Sequence, residues 1–395
     1  MIDSLKGFLK LETASGVILF FMLCIALICA NSPLQSYYQT IVELPVQIRV
    51  GLLDLDKPLI LWVNEGLMAI FFMLLSLEIK REFLDGDLQG IKQLTLPVVA
   101  AVGGIVMPAL VYFYFNMNID ENIWGWSIPT TTDIALALGL VSAMGRLVPI
   151  NLKVFLTALS IVDDVLVIFI IAIFYSSDLS VVTLSMASMG IIGLVLCNRL
   201  GVVRLAPYVL LGLFLWICVL KSGVHGTIAG SLVGLAIPFS NKAGTVSPLK
   251  QLEKMLHPWV AFGVMPVFVF LNADINLLGI TWSIFSNPLF LGIVAGLFVG
   301  KQLGVFLFSW VLVKCNLANL PKGVDWWQFY GICVVTGIGF TMSLFMSTLA
   351  FEGTEMNMVA HQAVLFGSLI SALWAWVVLS RKRLFTWVKS RVNVL

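Results

Sequence analysis

Residues 150–175, INLKVFLTALSIVDDVLVIFIIAIFY, are apolar almost throughout, yet two adjacent carboxylates, Asp163 and Asp164, stand midway along them. A helix rises about 1.5 Å per residue and the hydrocarbon core of a bilayer is about 30 Å thick, so this stretch reads as a membrane crossing with the pair near its midplane. A charged residue there costs roughly 2.5–3.5 kcal/mol on insertion scales, which is why such residues are rare and mark ion pathways or proton relays. Neighbours on a helix point about 100° apart, so one carboxylate can address an aqueous cavity while the other addresses a neighbouring helix. Taken from the residues alone, two readings stay open: an interhelical ion pair that fixes packing, or an ion pathway. Beyond the pair, Lys301 is the one basic residue deep in an apolar segment, so at least one Asp needs a proton or a cation as partner.

The rest of the chain matches that reading. Of 395 residues 60% are hydrophobic and 11% charged, with a mean hydropathy of +1.02. Soluble chains carry about a quarter charged residues, so the composition is that of a polytopic membrane protein. A net charge of +2 without a basic tract excludes nucleic acid as a partner. The six cysteines lack CxxC spacing and read as small core hydrophobes, and no cofactor is expected. The apolar run from Gly16 to Ala30 reads as an uncleaved first crossing, since every later segment also spans.

Apolar segments fall at about 12–30, 59–82, 96–115, 122–144, 150–175, 181–199, 205–219, 223–238, 255–273, 288–313, 328–350 and 358–380. Twelve crossings put both termini on one side. Of the 23 Lys and Arg residues, all but Arg49, Lys57, Lys221 and the intramembrane Lys301 then lie on that side. The other side collects Glu43, Asp54, Asp56, Asp120, Asp178, Asp274, Glu352 and Glu355. By the positive-inside rule the termini are cytoplasmic. The whole of 1–395 reads as one membrane domain, with the external loop 31–58 a candidate for a small β-hairpin.

Three more polar centres lie deep in apolar segments. In WSIPTTTDIALALG, Pro129 and three threonines precede Asp133, and proline both removes a donor and disfavours helix before it, so a break is expected. In VVTGIGFTMSLF, Gly337 and Gly339 interrupt the eleventh crossing. Paired interruptions point to a transporter's binding site, with opposed half-helix ends supplying partial charges; Asp133 would balance the positive ends and Lys301 the negative ones. Lys301 itself is either a static counter-ion or a proton carrier. Gly226, Gly230 and Gly234 recur every four residues, a face for close helix packing. Beside them His225 titrates near neutrality when unperturbed, so it is a candidate pH-responsive group. Glu78 and Glu82 share a helix face at a membrane mouth, and Lys250, Glu253, Lys254 and His257 lead into the ninth crossing.

The motifs SIVDD (160–164), IPTTTDIALALG (128–139), VLKSGVHG (219–226), LHPW (256–259), VGKQLG (299–304) and GIGFTMSLF (337–345) occur in one order, and over essentially its whole length the chain resembles the NhaA family of bacterial sodium/proton antiporters. NhaA antiporters belong to the transporters built from inverted-topology repeats. The resemblance implies an all-α protein of twelve transmembrane helices with inverted-topology repeats, discontinuous at crossings four and eleven. It implies that Asp163 and Asp164 bind Na⁺ or Li⁺ in exchange for protons, that Thr132 and Asp133 lie at the helix crossing, and that Lys301 is the buried cationic partner. It ties Glu78, Glu82, His225, Lys250, Glu253 and Lys254 to pH activation, and implies a homodimer in the inner membrane with the 45–58 hairpin at its interface. Leu166 and Val167 stand where the family usually has Gly-Ala, Gln302 replaces a usual proline, and Gln251 and Lys254 replace arginine and histidine. The function expected is secondary active exchange by alternating access, not an enzyme's; the rival readings are an intramembrane aspartyl protease built on Asp133 and Asp163, which lacks the usual signatures, and a passive cation channel.

Overall fold

In lipid a backbone must satisfy its own polar groups, which leaves helices or closed barrels as spanning elements. This chain takes the first route. The computed structural model describes residues 2–50, 53–86, 91–176, 179–240 and 247–392; Asp178 and Lys242, counted above among the loop charges, lie outside them. Among the described residues eight helices are long and apolar enough to cross a membrane: Thr13–Ala30, Leu59–Asp85, Leu94–Asn116, Ile150–Phe174, Val181–Arg199, Pro248–Asn272, Pro288–Lys314 and Glu355–Arg381. Trp326–Val335 and Phe340–Ala350, bent by 42° at their junction, make a ninth if the pair is counted as one span, and Ile134–Ala143, Leu205–Leu220 and Thr227–Ala236 are shorter apolar helices. The protein is an all-α, multi-pass membrane protein.

Several boundaries differ from those the apolar runs define. The ninth segment begins at Pro248 rather than near 255, because proline suits the first helical turn and Leu249, Leu252 and His257 give the charged stretch a buried face. Thr227–Ala236 is shorter than 223–238: Gly223, with φ +81°, lies in the preceding turn, so His225 stands ahead of the helix. The fourth segment is a 3-10 helix over Asp120–Thr130, then extended backbone, then an α-helix over Ile134–Ala143. Outside the helices, Pro45–Val50 pairs antiparallel with Leu53–Pro58, Pro45 opposite Pro58 and Val50 opposite Leu53.

The helices sort into two compact units that share the chain in alternation. One comprises Met1–Phe20, Gly90–Asp163 and Ile275–Leu395. Its core is apolar side chains such as Leu138, Leu156, Phe329 and Ile332, with Phe155 and Phe329 at 5.1 Å. Tyr112, Asn116 and Asn122 form a buried polar knot that ties the 3-10 stretch to the Ile91–Asn116 helix: Asn122 Nδ2 donates to Asn116 Oδ1 (2.8 Å) and Tyr112 donates to the Asn122 carbonyl (2.5 Å).

The other unit comprises Phe21–Gln89 and Asp164–Asp274. Lipid tails are as apolar as leucine, so helix association inside the membrane rests on close contact rather than on water exclusion. Here Gly230 and Gly234 supply it, seated on the backbone at Ala69 and Met73 with no room for a Cβ. Asn64 and Asn272, both buried, exchange two amide hydrogen bonds (3.1 and 2.8 Å), so neither leaves a polar group unsatisfied.

Candidate functional site

Asp163 and Lys301 are both wholly buried, and Lys301 Nζ lies 2.7 Å from Asp163 Oδ2. Breaking such a pair by removing one partner costs about 3–5 kcal/mol, because the other charge stays in a low dielectric. Among the described residues Asp163 Oδ1 has no hydrogen-bond partner; the nearby Thr132 hydroxyl donates instead to the Thr336 carbonyl (3.1 Å). Asp164, next on the Ile150–Phe174 helix, is 4% exposed. Lys301 follows directly on a π-helical turn, Gly296–Gly300, inside the Pro288–Lys314 helix. A π turn shifts the register of every residue after it, which is how it re-aims a side chain within an otherwise straight span.

Asp133 joins the starts of two helices. Its Oδ1 accepts from Leu136 N (3.0 Å), capping Ile134–Ala143; its Oδ2 accepts from the backbone N (2.9 Å) and hydroxyl (2.6 Å) of Thr341 in the first turn of Phe340–Ala350. Each helix start carries about half a positive charge, so one carboxylate answers two of them. The backbone closes the same junction, with Asp133 N donating to Ile338 O at 2.7 Å. Thr131 and Ser343 hydroxyls meet at 2.9 Å, and Ser343 donates to Ile128 O (2.8 Å). Gly337 and Gly339 have no positive φ, so the backbone conformation does not require glycine there. Space does: a Cβ on Gly337 would sit 2.5 Å from Leu297 O, and one on Gly339 2.8 Å from Thr131 O.

The residues that the family resemblance ties to pH activation lie in the other unit. Arg81 binds Glu253 through Nε (2.8 Å) and Glu82 through a terminal nitrogen (2.7 Å), so it bridges two acids. Glu78 Oε1 is 3.8 Å from His257 Nε2, and Lys250 pairs with Asp85. Lys254 is exposed. His225 stands apart from these groups, its Nδ1 2.9 Å from the Thr227 hydroxyl, and burial followed by the charge of Lys57 pushes its pKa down to about 3.

The buried Asp–Lys pair and the helix starts capped by Asp133 make up the candidate site; comparison with known proteins bears on the chain as a whole. The family described as Na⁺/H⁺ antiporter 1 matches residues 6–379. The chain belongs to this family. Among its relatives, the Na⁺/H⁺ antiporter NhaA 1 of Syntrophotalea carbinolica is 50% identical over 382 residues, 96% of each chain. NhaA 2 of Shewanella denitrificans is 48% identical over 96% of each chain, and NhaA of Aeromonas hydrophila is 48% identical over 96% of each.

Within this family member the structure adds a feature that the motif reading passed over. Gly296, Gly300 and Gly304 fall every four residues around Lys301, and each abuts another segment: Gly296 meets Pro129 (2.6 Å from a Cβ to its side chain), Gly300 meets Pro108 (2.5 Å), and Gly304 meets the Gly103 carbonyl. Gly104 packs beside the Lys301 chain, with Nζ 3.5 Å from where a Cβ would stand. The signal was the same spacing noted at Gly226, Gly230 and Gly234.

Proposed function

We propose that the chain is a secondary active Na⁺(Li⁺)/H⁺ antiporter of the bacterial inner membrane, working by alternating access at Asp163 and Asp164. The observation that carries the reading is the fully buried Asp163–Lys301 contact at 2.7 Å. A small hard cation favours carboxylate and carbonyl oxygens, and on reaching Asp163 it competes with the ammonium for the same oxygen. The ammonium of Lys301 is then a buried charge displaced from Asp163, and releasing its proton removes that cost. Protons arriving later reverse the sequence and drive the cation off. If Asp164 exchanges a proton as well as Lys301, more charge enters as H⁺ than leaves as Na⁺, and exchange responds to voltage.

The three shorter apolar helices added to the nine longer spans give twelve crossings with both termini cytoplasmic. Asp120–Thr130 with Ile134–Ala143, and Trp326–Val335 with Phe340–Ala350, are then the discontinuous crossings four and eleven of an inverted repeat. The Glu78, Glu82, Glu253 and Lys250 cluster serves as the pH-responsive mouth, and the hairpin of residues 45–58 as the contact of a homodimer.

The test is dissipation of a pH gradient in everted membrane vesicles on adding Na⁺ or Li⁺. Alkalinisation of the lumen that is lost in Asp163→Asn and in Asp164→Asn is expected. Na⁺ flux without proton movement would replace the reading with a channel, and exchange surviving both substitutions would move the site elsewhere.

A further inference from the structure

Directly after Lys301 stands a glutamine with both ends of its amide engaged. Gln302 is 6% exposed. Its Nε2 donates to the Phe298 carbonyl (2.5 Å), inside the Gly296–Gly300 π turn, and its Oε1 accepts from the Tyr330 hydroxyl (2.6 Å). Tyr330 lies on the Trp326–Val335 half-helix, its ring edge-on to Phe306 at 5.6 Å, and Trp374 Nε1 approaches its hydroxyl at 3.5 Å. This half-helix ends beside Thr336, whose carbonyl takes the Thr132 hydrogen bond, and Ile338, whose carbonyl takes the Asp133 amide. One amide therefore connects the turn that sets the direction of Lys301 with the element whose end builds the helix junction.

We propose that Gln302 is a positioning residue for cation binding: a strut, completed by Tyr330, that holds the Lys301 turn and the Trp326–Val335 half-helix in one fixed relation. A buried amide bonded on only one side would serve local packing. Bonded on both, it makes the two elements move together, because sliding either by one helical turn, about 5.4 Å, breaks the 2.6 Å contact. The site near Asp163 is then pre-organised by residues that never meet the ion. Neither partner contributes charge, so the strut acts on geometry alone.

The inference rests on the exchange proposed above and is tested in the same assay, with purified full-length protein in liposomes, by measuring apparent KM for Na⁺ and kcat separately. Tyr330→Phe removes one hydroxyl and keeps the ring; Gln302→Leu removes the amide and keeps the bulk. Each is expected to raise the apparent KM for Na⁺ by about threefold to tenfold, the size of one net hydrogen bond, with kcat per inserted molecule changed less than twofold. The double variant should be no worse than the more affected single variant, because both remove the same contact. Unchanged or lowered KM, effects confined to kcat, or additive losses in the double variant would overturn the strut while leaving exchange itself standing. If Gln302→Leu fails to insert, Tyr330→Phe alone decides the matter. Absence of Na⁺-driven proton movement in the wild type would overturn both readings together.

Discussion

Asp133 offers the sharpest separation of a structural from an ion-binding role. Its carboxylate accepts three hydrogen bonds, from Leu136 N, Thr341 N and the Thr341 hydroxyl, at 3.0, 2.9 and 2.6 Å. Asp133→Ala leaves two helix starts uncapped; at about 0.5–2 kcal/mol per cap, plus the cost of leaving buried N–H groups unpaired, the loss is about 3–6 kcal/mol. Asp133→Asn keeps the shape but has only one acceptor oxygen. Whichever way its amide turns, the NH₂ faces either Leu136 N–H or Thr341 N–H, so one donor is stranded at about 1–3 kcal/mol. Thermal unfolding of the purified protein in detergent should therefore rank wild type above Asn above Ala. Na⁺-driven proton movement by the Asn variant should persist, with its apparent KM for Na⁺ within a fewfold of wild type. An Asn variant as stable as wild type but inactive would refute the reasoning and make Asp133 a ligand of the transported ion.

Gly304→Ala drives a methyl group into the Gly103 carbonyl, so the Lys301-bearing helix must move outward; a loss of about 1–3 kcal/mol in thermal unfolding is expected together with a fall in exchange, and an active variant of wild-type stability would show the contact to be slack. Lys301→Met should destabilise the protein by about 3–5 kcal/mol, and the double variant Asp163→Asn/Lys301→Met should recover most of it; a double variant as unstable as the single would show that the pair is not what holds this region. His225 has an ordinary pKa of 6.5 and is pushed down to about 3 by burial and Lys57. Between those values the unfolded chain binds a proton that the folded chain does not, so stability falls as pH drops below 6.5, by about 2 kcal/mol at pH 5. His225→Gln should flatten that part of the curve of unfolding temperature against pH, and an unchanged slope would place the titration on other groups.

The membrane-spanning character was legible because a carboxylate pair inside an apolar run has few physical readings, and lipid leaves few structures for such a run to adopt. The partners were not legible. Asp133 and Thr341 are 208 residues apart, and Lys301 and Asp163 are 138 apart. No local period connects positions at that separation, so a break marks where a partner is needed without saying which one answers. The glycines show the same limit from another side. Glycine in a membrane helix reads as a breaker or as a packing face, and the choice depends on what lies opposite. At 337 and 339 the backbone angles are ones any residue adopts, so what demands glycine is a neighbouring carbonyl from elsewhere in the chain. Around Lys301 the four-residue spacing itself was visible, but a lysine in its midst draws the reading toward charge. Charge and spacing there share one helix: Gly296, Gly300 and Gly304 seat it against Pro129, Pro108 and Gly103, while the buried ammonium at 301 meets Asp163. A methyl group on Gly304 must therefore shift the helix that carries Lys301, even though it alters no charge.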